Sequence, residues 1–187
     1  MKDSRSKKLV LVCHCILNQN SKIEGIARFP GTLRPVADLL VQSDVGIYQM
    51  PCPEMAHLGI HRWSSVKEQY SSPVFRRLCR TLAERVADEL EDYASRDYRT
   101  LALIGVDGSP SCGVDFTQRA LGEPWGGRMA ALPARQYVSG SGTYIEALRG
   151  ILRERGLAEI PFIGIPEVQE VGRLEETLPK VETMLRA

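Results

Sequence analysis

Four short apolar runs alternate with stretches whose apolar residues recur at helical spacing, and this alternation restricts the fold more than any other feature. The runs are Lys8–Val12 (KLVLV), Val45–Met50 (VGIYQM), Thr100–Val106 (TLALIGV) and Phe162–Ile165. Each reads as a strand, the first and third as buried strands of a parallel sheet. Between the first two, Thr32–Ser43 carries Val36, Leu39 and Leu40 at helical spacing. A long helix opens at Ser72-Pro73, with Ser at the N-cap and Pro in the first turn. Its buried stripe is Phe75, Leu78, Cys79, Leu82, Val86, Leu90 and Tyr93. Tyr144–Arg155 buries Ile145, Leu148, Ile151 and Leu152 and stops at Gly156, and the tail from Leu174 forms a further helix. The expected fold is α/β: an open, mainly parallel sheet of Rossmann-like or flavodoxin-like order with helices on both faces. One domain over residues 1–187 accommodates it.

Residues 107–143 interrupt the alternation and are too many for an ordinary connection. They include Gly122, Trp125, Gly126, Gly127, Tyr137 and the run Ser139-Gly-Ser-Gly142. The expectation is a loop insertion, either a lid over a substrate or a disordered segment. Trp125 and Tyr137 then stack on a planar ligand or cover the core.

Charge narrows the partners. Lys and Arg nearly balance Asp and Glu, for a formal net charge of +1, and the arginines are dispersed. Neither a nucleic acid nor an anionic membrane is favoured as a partner. No run approaches the roughly 18 consecutive apolar residues of a membrane helix. The polar start Met1–Lys8 and the apolar Leu9–Val12 fall short of a signal peptide, because the run is brief and His14 breaks it. A cytoplasmic location is expected. The five cysteines, an odd number, then point to metal or catalytic use rather than to a disulfide framework.

Three of them follow the ends of expected strands: Cys15 the first, Cys52 the second and Cys112 the third. Ligands of open parallel α/β sheets bind outside the carboxyl ends of the strands. These cysteines are therefore expected to meet in one crevice. Gly108-Ser-Pro-Ser-Cys-Gly113 reads as a turn whose successive backbone N–H groups face an anionic centre, and Pro51-Cys-Pro-Glu54 is similarly stiff. Three soft thiolates suit Zn, Cu(I) or an iron–sulfur cluster. A structural zinc wants four ligands, usually in close-spaced pairs. The one close pair is Cys13 and Cys15, and His14, His57 and His61 are not at finger spacing. Cys79, on the helical stripe, reads as a packed core thiol, and Cys13 as packed beside the site. Gly105-Val-Asp-Gly108 lacks the glycine spacing of a dinucleotide fingerprint.

In order and spacing, Cys15-Ile-Leu-Asn-Gln-Asn-Ser-Lys-Ile-Glu-Gly25, Cys52-Pro-Glu54 and Ser109-Pro-Ser-Cys-Gly113 resemble the motifs of the thiouracil desulfidase (TudS) family. The resemblance runs from about Lys8 to Gly113. It implies a 4Fe–4S cluster bound by Cys15, Cys52 and Cys112, with one iron open to the sulfur of a thiolated base. The substrate would be a small thiocarbonyl compound, converted to a carbonyl without net redox change. Glu54 and Ser109 are the implied acid–base and positioning groups. Founding members follow Cys-Pro-Glu with Gly-Leu and Pro-Arg pairs, where this chain reads Met55-Ala-His-Leu-Gly-Ile-His-Arg62. That difference falls where substrate contacts are expected.

Blander roles stand beside these. Glu54 would cap a helix start, and Ser109 would bond its own turn. His57, His61 and Arg62 would be exposed polar loop residues. An alternative in another class is a non-catalytic iron–sulfur or metal-binding sensor or carrier using the same crevice. A cysteine-nucleophile hydrolase is a third reading, for which no histidine is placed as base.

Overall fold

The computed structural model describes residues 3–122 and 134–186. The first strand, β1 (Lys8–Val12), is followed by a short helix α1 (His14–Leu17), helix α2 (Arg34–Val41) and strand β2 (Gly46–Gln49). Helices α3 (Pro53–Leu58) and α4 (Pro73–Ala94) lead to β3 (Arg99–Asp107). Two strands, β4 (Phe116–Ala120) and β5 (Arg135–Ser139), precede α5 (Thr143–Glu154), β6 (Phe162–Pro166) and α6 (Leu174–Leu185).

β1, β2, β3 and β6 form one all-parallel sheet in the order β2-β1-β3-β6. Its strands are the four apolar runs, and their order is flavodoxin-like. The nine-residue β3 is buried from Leu101 to Asp107, as a central strand with both faces covered must be. α4 packs against α5, and α2 against α6, so two helical layers enclose the sheet.

The long helix α4 starts where Ser72 Oγ accepts the N–H of Phe75 at 3.2 Å, with Pro73 as its first residue. Phe75, Cys79, Leu82, Ala83, Val86, Ala87 and Leu90 form its buried face. Cys79 is wholly buried there, and burial pushes its thiol up to about 12.

The insertion at 107–143 has regular structure of its own: β4 and β5 pair as an antiparallel ribbon. Trp125, Gly126 and Gly127 lie outside the described residues. The ribbon is tied down by carboxylates. Asp107 Oδ1 accepts the N–H groups of Val114, Asp115 and Phe116 at 2.9, 2.9 and 3.2 Å. Glu68 accepts from Arg119 Nε at 2.7 Å and from the Ala120 N–H at 3.1 Å. A β-carbon on Gly164 would lie 2.2 Å from the Asp107 carboxylate, so the neighbouring strand β6 must carry glycine there.

Candidate functional site

A cavity of about 560 Å³ opens at the carboxyl end of the sheet, a volume ordinary for a small-molecule site. Cys15, Cys52, Glu54, Ser109 and Cys112 all line it. Cys15 is the second residue of α1, immediately beyond β1. Cys52 is the N-cap of α3, and its Sγ accepts the Met55 N–H at 3.5 Å. The stiff Pro51-Cys-Pro-Glu54 segment thus starts a helix. Pro53 occupies the position that has no hydrogen bond to lose, and Glu54 lies in the first turn.

Cys112 lies in the turn after β3, and that turn differs from expectation. Its backbone donors do not face an anion. The N–H groups of Ser111 and Cys112 go to Ser109 Oγ at 3.3 and 3.0 Å, and that of Gly113 to the Ser109 carbonyl at 3.2 Å. Closing the turn on itself consumes the donors that a nest would need. The carbonyls of Pro110 and Ser111 accept from Thr143, Tyr144 and Ile145 at 3.0–3.2 Å, so the first turn of α5 grips the peptide carrying Cys112.

The thiols sense one another. Burial, then Cys112, pushes the Cys52 thiol up to about 12. Burial and Cys112 hold Cys15 well above its usual range, and a hydrogen bond to Cys13 together with burial does so for Cys112. A metal binding here must displace these protons. As the side chains stand, no group of three or more His, Cys, Asp or Glu among the described residues is set to hold a metal ion. The donor chemistry nevertheless fits a soft centre, since three cysteines line one wall system. Tyr144 adds a second observation: its hydroxyl is buried without a hydrogen-bond partner among the described residues, and its phenol is pushed up by burial first, then by Cys112 and Cys13. Such a donor suits an acceptor sulfur.

Glu54 is 7% exposed and is held from both sides. Ser111 Oγ donates to Oε1 at 2.6 Å, and Arg62 Nε donates to Oε2 at 3.1 Å. The Tyr70 hydroxyl is 3.5 Å from Oε2. Arg62 is fixed in turn by the carbonyls of Ser21 and Gly59, at 2.7 and 3.1 Å. Expected as an exposed loop residue, Arg62 is buried, because a buried carboxylate requires a counter-charge. Ser109 Oγ lies 3.3 Å from Ser111 Oγ, so two hydroxyls connect the turn to Glu54. His57 packs on Phe75 with ring centroids 5.3 Å apart, and His61 is exposed; neither lines the cavity.

The uncharacterized protein MJ0003 of Methanocaldococcus jannaschii is 37% identical to the chain over 117 residues, 63% of this chain and 74% of that protein. The chain belongs to the MJ0003 family. No protein-family model matches the chain, and no solved structure does. For this member of the MJ0003 family the candidate chemistry thus rests on its own cavity.

Sequence reasoning missed Ser111, Lys22 and Glu167 in that cavity. Ser111 sits inside a recognised motif, yet nothing in the sequence ranks its hydroxyl above that of Ser109. Glu167 follows β6 directly, so the strand-end logic applied to the cysteines would have reached it.

Proposed function

We propose that the chain is an iron–sulfur desulfidase that removes sulfur from a small thiocarbonyl compound, as the likeness to thiouracil desulfidases suggests. The observation that carries this reading is the meeting of Cys15, Cys52 and Cys112 with the buried carboxylate of Glu54 around one cavity. The three thiolates would hold a 4Fe–4S cluster through three of its irons. When bound, that group supplies an open iron, a soft Lewis acid for a substrate sulfur. Overall, a thiocarbonyl and one water become a carbonyl and hydrogen sulfide, with no electron gained or lost.

The remaining work falls to the chain. Arg62 and Ser111 aim the Glu54 carboxylate and keep it fixed. Glu54 takes a proton from the attacking water and returns one to the departing sulfide, the kind of transfer worth about 100-fold or more. Ser109, one hydrogen bond from Ser111, positions the substrate edge nearest the turn. The five cysteines are free, which suits a reducing cytoplasm. No helix among the described residues is long and apolar enough to cross a membrane.

The test is purification without oxygen, followed by iron and sulfide analysis and an assay of sulfide release from 2-thiouracil and 4-thiouracil. Brown protein with stoichiometric iron and sulfide that desulfurises either compound is the expected result. Glu54→Gln should keep the iron and lose about 99% of the activity. Cluster without sulfide release would favour the sensor or carrier reading, and protein that takes up no iron would remove both.

A further inference from the structure

A buried ion pair, Lys22 with Glu167, stands on the same cavity wall and has no part in the proton transfers above. Their side chains are only 10% and 8% exposed. Withdrawing two charges from water is costly, so such a pair calls for a reason. Lys22 follows the turn Gln19–Ser21, and Glu167 follows β6, far along the chain. Gln19, itself buried, aims the carboxylate: its Nε2 donates to the Cys15 carbonyl at 2.8 Å and to Glu167 Oε1 at 3.2 Å. Gln19 Oε1 accepts the Arg28 N–H at 3.3 Å. The pair therefore has a set orientation and is tied to the backbone of Cys15.

Its hydrogen-bonding capacity is not exhausted. An ammonium has three donors, and Lys22 gives one to Glu167 Oε2. A carboxylate offers about four lone-pair directions, and Gln19 and Lys22 occupy one on each oxygen. The cavity wall thus carries a residue with donors to spare beside one with acceptor capacity to spare. Through Gln19 the pair is joined to the Cys15 carbonyl, and Cys15, Lys22 and Glu167 line the same cavity.

We propose that Lys22 and Glu167 are specificity-determining residues that read an –NH–C(=O)– edge, Lys22 donating to the oxygen and Glu167 accepting from the N–H. The ligand class is a planar cyclic amide or ureide, bound by the edge away from its reacting thiocarbonyl. This assignment rests on the desulfidase reading and specifies how its substrate is held.

The experiment is calorimetric titration, without oxygen, of the iron-loaded protein with uracil and with 1,3-dimethyluracil, which lacks both N–H groups. The native protein should bind uracil at least about tenfold more tightly, the usual worth of one hydrogen bond to a charged acceptor. Glu167→Gln should weaken uracil binding by about tenfold and leave the dimethyl compound unchanged. Removing one charge strands the other, so the paired variant K22M/E167L, which removes both, keeps the test decisive if Glu167→Gln does not fold. It should fold and bind the two ligands equally. Equal binding by the native protein, no binding of uracil at all, or discrimination that survives in the paired variant would each overturn the assignment. Sulfide release from 2-thiouracil is read in parallel. Release without N–H discrimination rejects the edge reading alone, and discrimination without release rejects the desulfidase reading alone.

Discussion

Cys13 and Cys15 are two residues apart, yet the fold gives them opposite surroundings. Cys13 is wholly buried just past β1, where Cys112 and burial act on its thiol and burial pushes it up. Cys15 is half-buried and faces the cavity. If the chain holds the proposed cluster through three cysteines, losing one ligand leaves too few to hold a cubane. Cys15→Ser should therefore be colourless and poor in iron. Cys13→Ala should stay brown, at a cost of about 1 kcal/mol for the small void. Iron analysis and the visible spectrum of the two purified variants decide the matter. The opposite pattern of iron content would mean that Cys13 is the ligand. At this scale the sequence was informative about cysteines, because a strand end announces itself in the apolar pattern. It was mute about Arg62 and Ser111, since a buried salt bridge across a loop leaves no periodic trace.

Helix α5 illustrates how an element positions a site without contributing a ligand. Its first N–H groups hold the carbonyls of Pro110 and Ser111, and the close approach depends on Gly142. A β-carbon there would lie 2.4 Å from the Ser111 carbonyl carbon and 2.8 Å from the Cys112 nitrogen. Gly142→Ala must push the cysteine-bearing turn away from the helix. It should cost about 1–3 kcal/mol and lower the iron content. Gly150, in the same helix, has nothing within 4 Å of its would-be β-carbon. Gly150→Ala should stabilise the protein by about 0.5–1 kcal/mol and leave the iron content alone. Urea denaturation of the two variants gives both signs. Nothing local marks Gly142 as different from any other glycine in its Ser-Gly run. The ribbon of β4 and β5 was hidden for a related reason. Phe116–Ala120 (FTQRA) and Arg135–Ser139 (RQYVS) carry little apolar signal, and their order comes from Asp107 and Glu68.

Across the whole molecule, burial of thiols sets an alkaline limit on stability. Cys79 is held at about 12 in the fold against an ordinary value of 9.0, with burial as the main cause. Below pH 9 both states keep the proton, and this group adds no pH dependence. Above it the unfolded chain releases a proton that the folded chain retains, so the native advantage is lost as pH rises toward 12. Stability should fall between pH 9 and 12, and Cys79→Ala should fall less steeply, by up to about one proton. Urea midpoints at pH 8, 10 and 11 measure it; equal slopes in the two proteins would show that Cys79 titrates normally in the fold.

The sequence by itself determined the four strands of the parallel sheet, the helices α2, α4, α5 and α6, and the end of the sheet at which three cysteines line the cavity. Those features are written in short-range periodicity, and the rule for parallel crossovers does the rest. Tertiary structure alone decided which polar groups meet in the cavity. Glu54 with Arg62 and Ser111, and Lys22 with Glu167, join segments distant in the chain. Their pairing follows from the requirement that a charge withdrawn from water find a partner, and that requirement acts only once the backbone has brought the segments together.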